Sequence, residues 1–85
     1  LMAVEGYPTT WGAAPYEHQM INYTSSVVKQ LEAHGAVLIA KLVSGSLARG
    51  DVWFGGKTKN PWDLNQGASG SSAGPGSATR WEQKL

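Results

Sequence analysis

The 85-residue chain carries seven Lys and Arg against six Asp and Glu, which gives a formal net charge of +1. A chain of this length holds one small domain at most. Its basic residues are scattered, and this excludes the clustered basic face that a nucleic-acid partner requires. The absence of cysteine excludes disulfides and cysteine zinc sites.

Neither a membrane span nor a metal or cofactor site is predicted. The longest apolar run, residues 36–43, contains Lys41 and is far shorter than the roughly 20 residues that cross a bilayer. The N-terminus lacks the basic, apolar and small-residue zones of a signal peptide, so we expect a soluble, cytoplasmic protein without a membrane partner. The two histidines, His18 and His34, have no second ligand at metal-binding spacing.

The first half of the chain contains the best helix signal. Residues 1–22 are rich in turn formers and are predicted to be irregular. Residues 24–34 place apolar side chains on one helical face, with Thr24 or Ser25 available to cap the first turn through its hydroxyl. Gly35 follows and can adopt the left-handed conformation that ends a helix.

The next segment, residues 36–43, is continuously apolar apart from Lys41, a pattern typical of a strand buried on both faces. Residues 45–49 are predicted to form one helical turn and residues 52–54 a short strand. The predicted fold class is therefore α/β: a small fragment with one central helix, a buried strand after it, short flanking strands and a Gly/Ser-rich C-terminal loop.

Residues 50–58 resemble a phosphate-binding loop, but five residues rather than four separate its first glycine from the Gly-Lys pair. A turn between short elements explains this segment better. The stretch of residues 65–79 is rich in Gly and Ser, and composition alone favours a flexible linker there.

The order and spacing of several motifs favour an ordered protein family over a flexible linker. They are GYPTTWG at residues 6–12, VVKQLE at 27–32, GAVLIAKL at 35–42, GGKTKNPWD at 55–63, and the Gly/Ser loop with Ser71 and Ser72. Together they resemble the amidase-signature family, which hydrolyses carboxylic amides and some esters. That family uses a nucleophilic serine, a bridging serine on a cis peptide bond, and a lysine base.

The resemblance implies catalytic roles for two residues only. Ser71 matches the bridging serine and Ser72 its neighbour, whereas the family's lysine would precede Leu1 and its nucleophilic serine would follow the Gly/Ser loop. Lys41 matches a different lysine. The resemblance thus implies an internal fragment that lacks the catalytic lysine and nucleophile and is inactive alone, with the peptide bond at Ser71 relaxed to trans.

The predicted organisation is one incomplete amidase-signature domain over residues 1–79, followed by a non-native tail over residues 80–85. The tail changes composition abruptly, and Glu82 to Leu85 match the start of an epitope tag, which suggests an engineered fragment that was expressed or selected because it folds. The alternatives are a small self-associating or partner-binding module, and a piece that becomes active when its complement is supplied in trans. An open apolar strand predicts a homo-oligomer.

Overall fold

Within residues 1–82, the strands are short and lie in two separate antiparallel hairpins. The computed structural model describes residues 1–82, with side chains through residue 80. In chain order the elements are a 3-10 turn (Ala14–Tyr16), α1 (Ser26–Ala33), a 3-10 turn (Ser46–Ala48), β1 (Val52–Trp53), β2 (Gly56–Lys57), β3 (Lys59–Asn60), β4 (Asp63–Gly67) and α2 (Ala73–Glu82). The predicted mixed α/β class is confirmed.

The helix α1 confirms the helix predicted over residues 24–34. Its end has the expected glycine termination, because Gly35 has φ +90° and the amide of Ala36 donates to the carbonyl of Leu31 at 3.0 Å. The predicted hydroxyl cap is wrong. The Thr24 hydroxyl accepts the amide of Glu5 at 3.0 Å instead, and the Ser25 hydroxyl has no hydrogen-bond partner among the described residues.

Residues 36–43 do not form the predicted buried strand. This run pairs with none of the described strands, and the side chains of Val37 and Ile39 are 81% and 88% exposed. The physical reason is the absence of neighbours: the paired strands all lie between residues 52 and 67 and engage only one another. A strand buried on both faces needs partners at its edges and covering layers, which the described residues do not provide.

The first hairpin lies in the segment to which the sequence assigns a short strand and a turn. The second hairpin is not predicted at its residues, and β4 includes residues 65–67 of the predicted Gly/Ser loop. In the first, Val52 faces Lys57 and Trp53 faces Gly56, so residues 50–58 form a turn between short strands, as predicted. In the second, β3 pairs with β4 across Pro61 and Trp62, and the register shifts between Lys59 and Asn60.

The helix α2 corrects the prediction of a Gly/Ser loop over residues 65–79, because it begins at Ala73 within that stretch. Pro75 lies in its first turn, where the lack of an amide hydrogen is tolerated. The helix is held on the second hairpin by packing. Its Ser77 hydroxyl donates to the carbonyl of Lys59 at 3.0 Å, and the Arg80 guanidinium carbon lies 3.9 Å from the centre of the Trp62 ring.

The composition break predicted at residue 80 falls inside α2, which continues through Glu82. Residues 83–85 of the predicted tail lie outside the described residues.

The buried apolar side chains are small and come from the two ends of the fold: Ala3, Val4, Ala13 and Ala73. Beside them Thr9 is 1% exposed, and its hydroxyl accepts a hydrogen bond from the Lys41 ammonium group, which also donates to the carbonyl of Pro8 at 2.7 Å. Lys41 thus joins the exposed run of residues 36–43 to the N-terminal segment.

Two glycines of α2 should respond oppositely to a methyl group. A Cβ at Gly74 would overlap the carbonyl oxygen of Val43, whereas a Cβ at Gly76 meets nothing within 4 Å. We expect Gly74→Ala to lower the free energy of unfolding by about 1–3 kcal/mol through overpacking. Gly76→Ala should raise it by about 0.5–1 kcal/mol through helix propensity. Urea unfolding of both variants tests this, and equal effects would contradict the close approach of α2 to Val43.

Removing the Lys41 ammonium group should destabilise the chain. In Lys41→Met the buried Thr9 hydroxyl loses its donor, at an expected cost of about 1–3 kcal/mol in the free energy of unfolding. The matched control is Lys29→Met, which changes an exposed lysine of α1 and should stay within about 0.5 kcal/mol of the parent. Equal denaturation midpoints for the two variants would show that the bond to Thr9 contributes nothing.

Candidate functional site

Ser71 and Ser72 lie in a tight loop, residues 68–72, between β4 and α2; we call it the serine loop. Ser69 has φ +60°, and the Gly70–Ser71 peptide bond is cis. The expectation that this bond is trans in the isolated segment is therefore wrong. Ser71 is half-buried and Ser72 is exposed.

One side of the serine loop is held by the segment around Val43 and Gly45. The amide of Gly45 donates to the carbonyl of Ser71 at 3.0 Å, and the amide of Gly74 donates to the carbonyl of Val43 at 3.1 Å. These two hydrogen bonds hold the backbone on either side of Ser72, at Ser71 and at Gly74. Gly74 must lack a side chain there, because a Cβ would overlap the Val43 carbonyl oxygen.

The other side of the serine loop rests on Gly50 and Asp51. The Asp51 carboxylate accepts the amide of Ser69 at 3.1 Å, and the bare Cα of Gly70 packs on the carbonyl oxygen of Gly50. The loop is therefore fixed at three successive residues, which restricts the position of the Ser71 side chain.

The hydroxyls of Ser71 and Ser72 are not hydrogen-bonded to a titratable side chain within residues 1–79. The lysine and carboxylate bonds described there go to other groups. A serine hydroxyl is a weak nucleophile without an adjacent base, but it can both donate and accept a proton.

Lys41 is not positioned to serve as that base. Its ammonium group is bonded to Pro8 and Thr9, and burial lowers its pKa from the ordinary lysine value. The pKa of the Leu1 amino group is also lowered, first by burial and then by the charge of Lys41.

A cavity of about 350 Å³ opens beside Lys41, and four aromatic side chains contribute to its wall. Those aromatic residues are Tyr7, Trp11, Trp53 and Phe54. Ser71 and Ser72 are not among the residues that line it. Val43 connects the cavity with the start of α2, since it lines the cavity and its carbonyl accepts the amide of Gly74.

Sequence reasoning missed the supports of the serine loop, namely Val43, Gly45 and Asp51. The available signal was the pattern of glycines, because Gly45, Gly70 and Gly74 each lack room for a Cβ. Their close approaches are long-range, however, and a single sequence does not reveal which backbone each glycine meets.

The described residues offer few other functional features. Across residues 1–82, no group of three His, Cys, Asp or Glu side chains comes together in a way that could hold a metal ion. His34 has a local role, with its Nδ1 atom 2.8 Å from the carbonyl of Gln30. No helix in the same range has the length and apolarity to cross a membrane.

Comparison with known proteins covers nearly the whole chain. A sequence model of the family described as Amidase matches residues 1–81. Among curated relatives, a glutamyl-tRNA(Gln) amidotransferase subunit of Saccharolobus solfataricus is 35% identical over 80 residues, covering 91% of this chain and 17% of the relative. The corresponding subunit of Anaeromyxobacter dehalogenans is 39% identical over 77 residues, covering 87% of this chain and 16% of the relative.

A third relative, the corresponding glutamyl-tRNA(Gln) amidotransferase subunit of Gloeobacter violaceus, is 35% identical over 80 residues, with 91% of this chain and 16% of the relative covered. No solved structure matches the chain. The chain thus spans about one sixth of the length of these relatives. The family match over residues 1–81 extends through the serine loop and into α2, and the chain belongs to the amidase family.

Proposed function

We propose that residues 1–81, the range of the family match, are an internal segment of an amide hydrolase and supply its proton-relaying serine, Ser71. The observation that carries the proposal is the serine loop, which is held at three successive residues within a segment that the family match covers. Ser72 is proposed as the neighbouring residue of the same catalytic loop. The substrate class is a carboxylic amide, in keeping with relatives that are named amidotransferase subunits.

The proposed chemistry divides the work between this segment and the rest of a longer enzyme. Amide hydrolysis needs an activated nucleophile, a base and donors that stabilise the developing oxyanion. Ser71 would pass a proton between a base and a nucleophile that the remaining length of the enzyme contributes. By this proposal, residues 1–85 alone lack amidase and esterase activity. Ser71 then has neither a nucleophile from which to take a proton nor a base to which to pass it.

The role of Ser71 can be tested in a chimera. Residues 1–81 replace the aligned segment of the Saccharolobus solfataricus relative, and hydrolysis of a carboxylic amide such as L-glutamine is measured as ammonia release. We expect Ser71→Ala to lower kcat by about 100- to 10,000-fold, the range of a positioned proton-transfer group. The matched control is Ser26→Ala, at the exposed start of α1, which should leave kcat unchanged.

Two results would refute the proposed role. One is a Ser71→Ala chimera with the activity of its parent. The other is amide turnover by the 85-residue chain alone that disappears in Ser71→Ala, since the segment would then be a complete catalyst.

A second proposal concerns the isolated chain, which we propose to self-associate through residues 36–43. The support is the exposure of Val37 and Ile39 on an unpaired run of backbone. Such a run is a template for another strand, and apolar area buried there is worth roughly 25 cal/mol per Å². A partner-binding module would use the same surface.

Sedimentation equilibrium at tens of micromolar tests the association. We expect a dimer or larger species for the parent chain and a shift toward monomer for the double variant Val37→Lys, Ile39→Lys, because like charges oppose each other at the paired edge. The control is Val27→Lys on α1, which should associate as the parent does. A monomeric parent would contradict the proposal.

A further inference from the structure

A carboxylate that the family resemblance did not single out lies directly behind the serine loop. We propose that Asp51 is a positioning residue for Ser71: it holds the backbone of the serine loop so that the Ser71 hydroxyl is presented in one orientation. This inference rests on the proposed function, because it assigns Asp51 a part in the same reaction.

Asp51 closes a ring of hydrogen bonds around the base of the serine loop. Its carbonyl accepts the amide of Thr58 at 3.0 Å, the carbonyl of Thr58 accepts the amide of Ala68 at 2.9 Å, and its carboxylate accepts the amide of Ser69 at 3.1 Å. One residue therefore binds both the first hairpin and the loop. Asp51 therefore fixes the position of the backbone where it leaves the end of β4 and enters the serine loop.

The fit around the carboxylate leaves no space for another side chain. A Cβ at Gly67, the last residue of β4, would overlap the Asp51 carboxylate and crowd the side chain of Lys57. The bare glycine allows the carboxylate to reach past the strand end to the amide of Ser69. The absence of a side chain at Gly67 therefore leaves the space that the Asp51 carboxylate occupies.

The amide that Asp51 holds belongs to a residue in an unfavourable conformation. Ser69 has φ +60°, in the left-handed region that costs energy for any residue with a Cβ. A hydrogen bond to an ionised acceptor is stronger than one between neutral groups, and here it offsets that cost. Ser71 follows two residues later, so a change at Ser69 is passed along the backbone to the relay hydroxyl.

The effect of Asp51 is expected on turnover rather than on substrate binding. Its side chain bonds to the Ser69 amide, and no described hydrogen bond joins it to the Ser71 hydroxyl. Reacting groups must be held close to the productive geometry, and a displacement of about 1 Å can cost about 100-fold in rate. Removing the carboxylate should therefore lower kcat while KM changes little.

Asp63 provides a matched control within the same chain. Its carboxylate also accepts a backbone amide, that of Asn65 at 3.0 Å, but this bond closes a local turn at the start of β4. A variant of Asp63 removes the same chemistry without touching the serine loop.

The first test uses the 85-residue chain and amide hydrogen exchange followed by NMR. Asp51→Ala should speed exchange at the Ser69 amide by about 10-fold, the loss expected for one hydrogen bond to a charged group. Asp51→Asn should restore part of the protection, because the side-chain amide oxygen still accepts but carries no charge. Asp63→Ala should speed exchange at Asn65 only. Unchanged exchange at Ser69 in Asp51→Ala would overturn the inference.

The second test uses the active chimera and measures kcat and KM separately. We expect Asp51→Ala to lower kcat by about 10- to 100-fold with KM unchanged, Asp51→Asn to recover part of kcat, and Asp63→Ala to match the parent. If Ser71→Ala is inactive while Asp51→Ala keeps the parent kcat, the inference about Asp51 is wrong and the proposed function stands. If Ser71→Ala is itself fully active, the proposed function is wrong.

Discussion

The hydrogen bonds between residues 43–45 and the start of α2 are the constraint on which the rest of the structure depends. Val43 and Gly45 bind the chain on both sides of Ser72, with N···O distances of 3.1 and 3.0 Å. Two residues earlier, Lys41 ties the same segment to the N-terminal part of the chain. This segment therefore contacts both the N-terminal residues and the serine loop.

Backbone and side-chain hydrogen bonds carry this role because the apolar core is small. Its buried members include three alanines and Val4, while larger apolar side chains such as Val37 and Ile39 remain exposed. Burial of apolar area therefore contributes less here than in a larger domain, and close backbone approaches at glycine contribute more. The same approaches position the serine loop, so stability and the proposed catalytic role depend on the same contacts.

Local features of the sequence predicted the elements that depend on local interactions. The end of α1 follows from Gly35, and the short strand at Val52–Trp53 follows from its β-branched and aromatic residues. The family resemblance led to the serine loop. The supports at Gly45 and Asp51 could not be predicted in this way, because each depends on a contact with a residue at least 18 positions away.

Two segments differ from their predictions for physical reasons of the same kind. The apolarity of residues 36–43 indicates what the run needs, but it does not say whether neighbours are present to bury it. Conversely, Gly74, Pro75 and Gly76 are poor helix formers, and α2 forms because its side chains pack on the second hairpin. In both cases the contacts available in the fold determine the outcome. Residues 36–43 lack the neighbours that a strand needs, whereas α2 has contacts that offset its weak helix propensity.

The central claim is that residues 43–45 hold the serine loop in place. The most direct measurement is native-state hydrogen exchange at the amides of Gly45 and Gly74, followed by NMR. The structure predicts that both amides are protected and that both lose protection in a single opening event. The reason is that their hydrogen bonds hold the backbone on either side of Ser72. Exchange of either amide at the rate of an unstructured peptide, while α1 remains protected, would contradict the account.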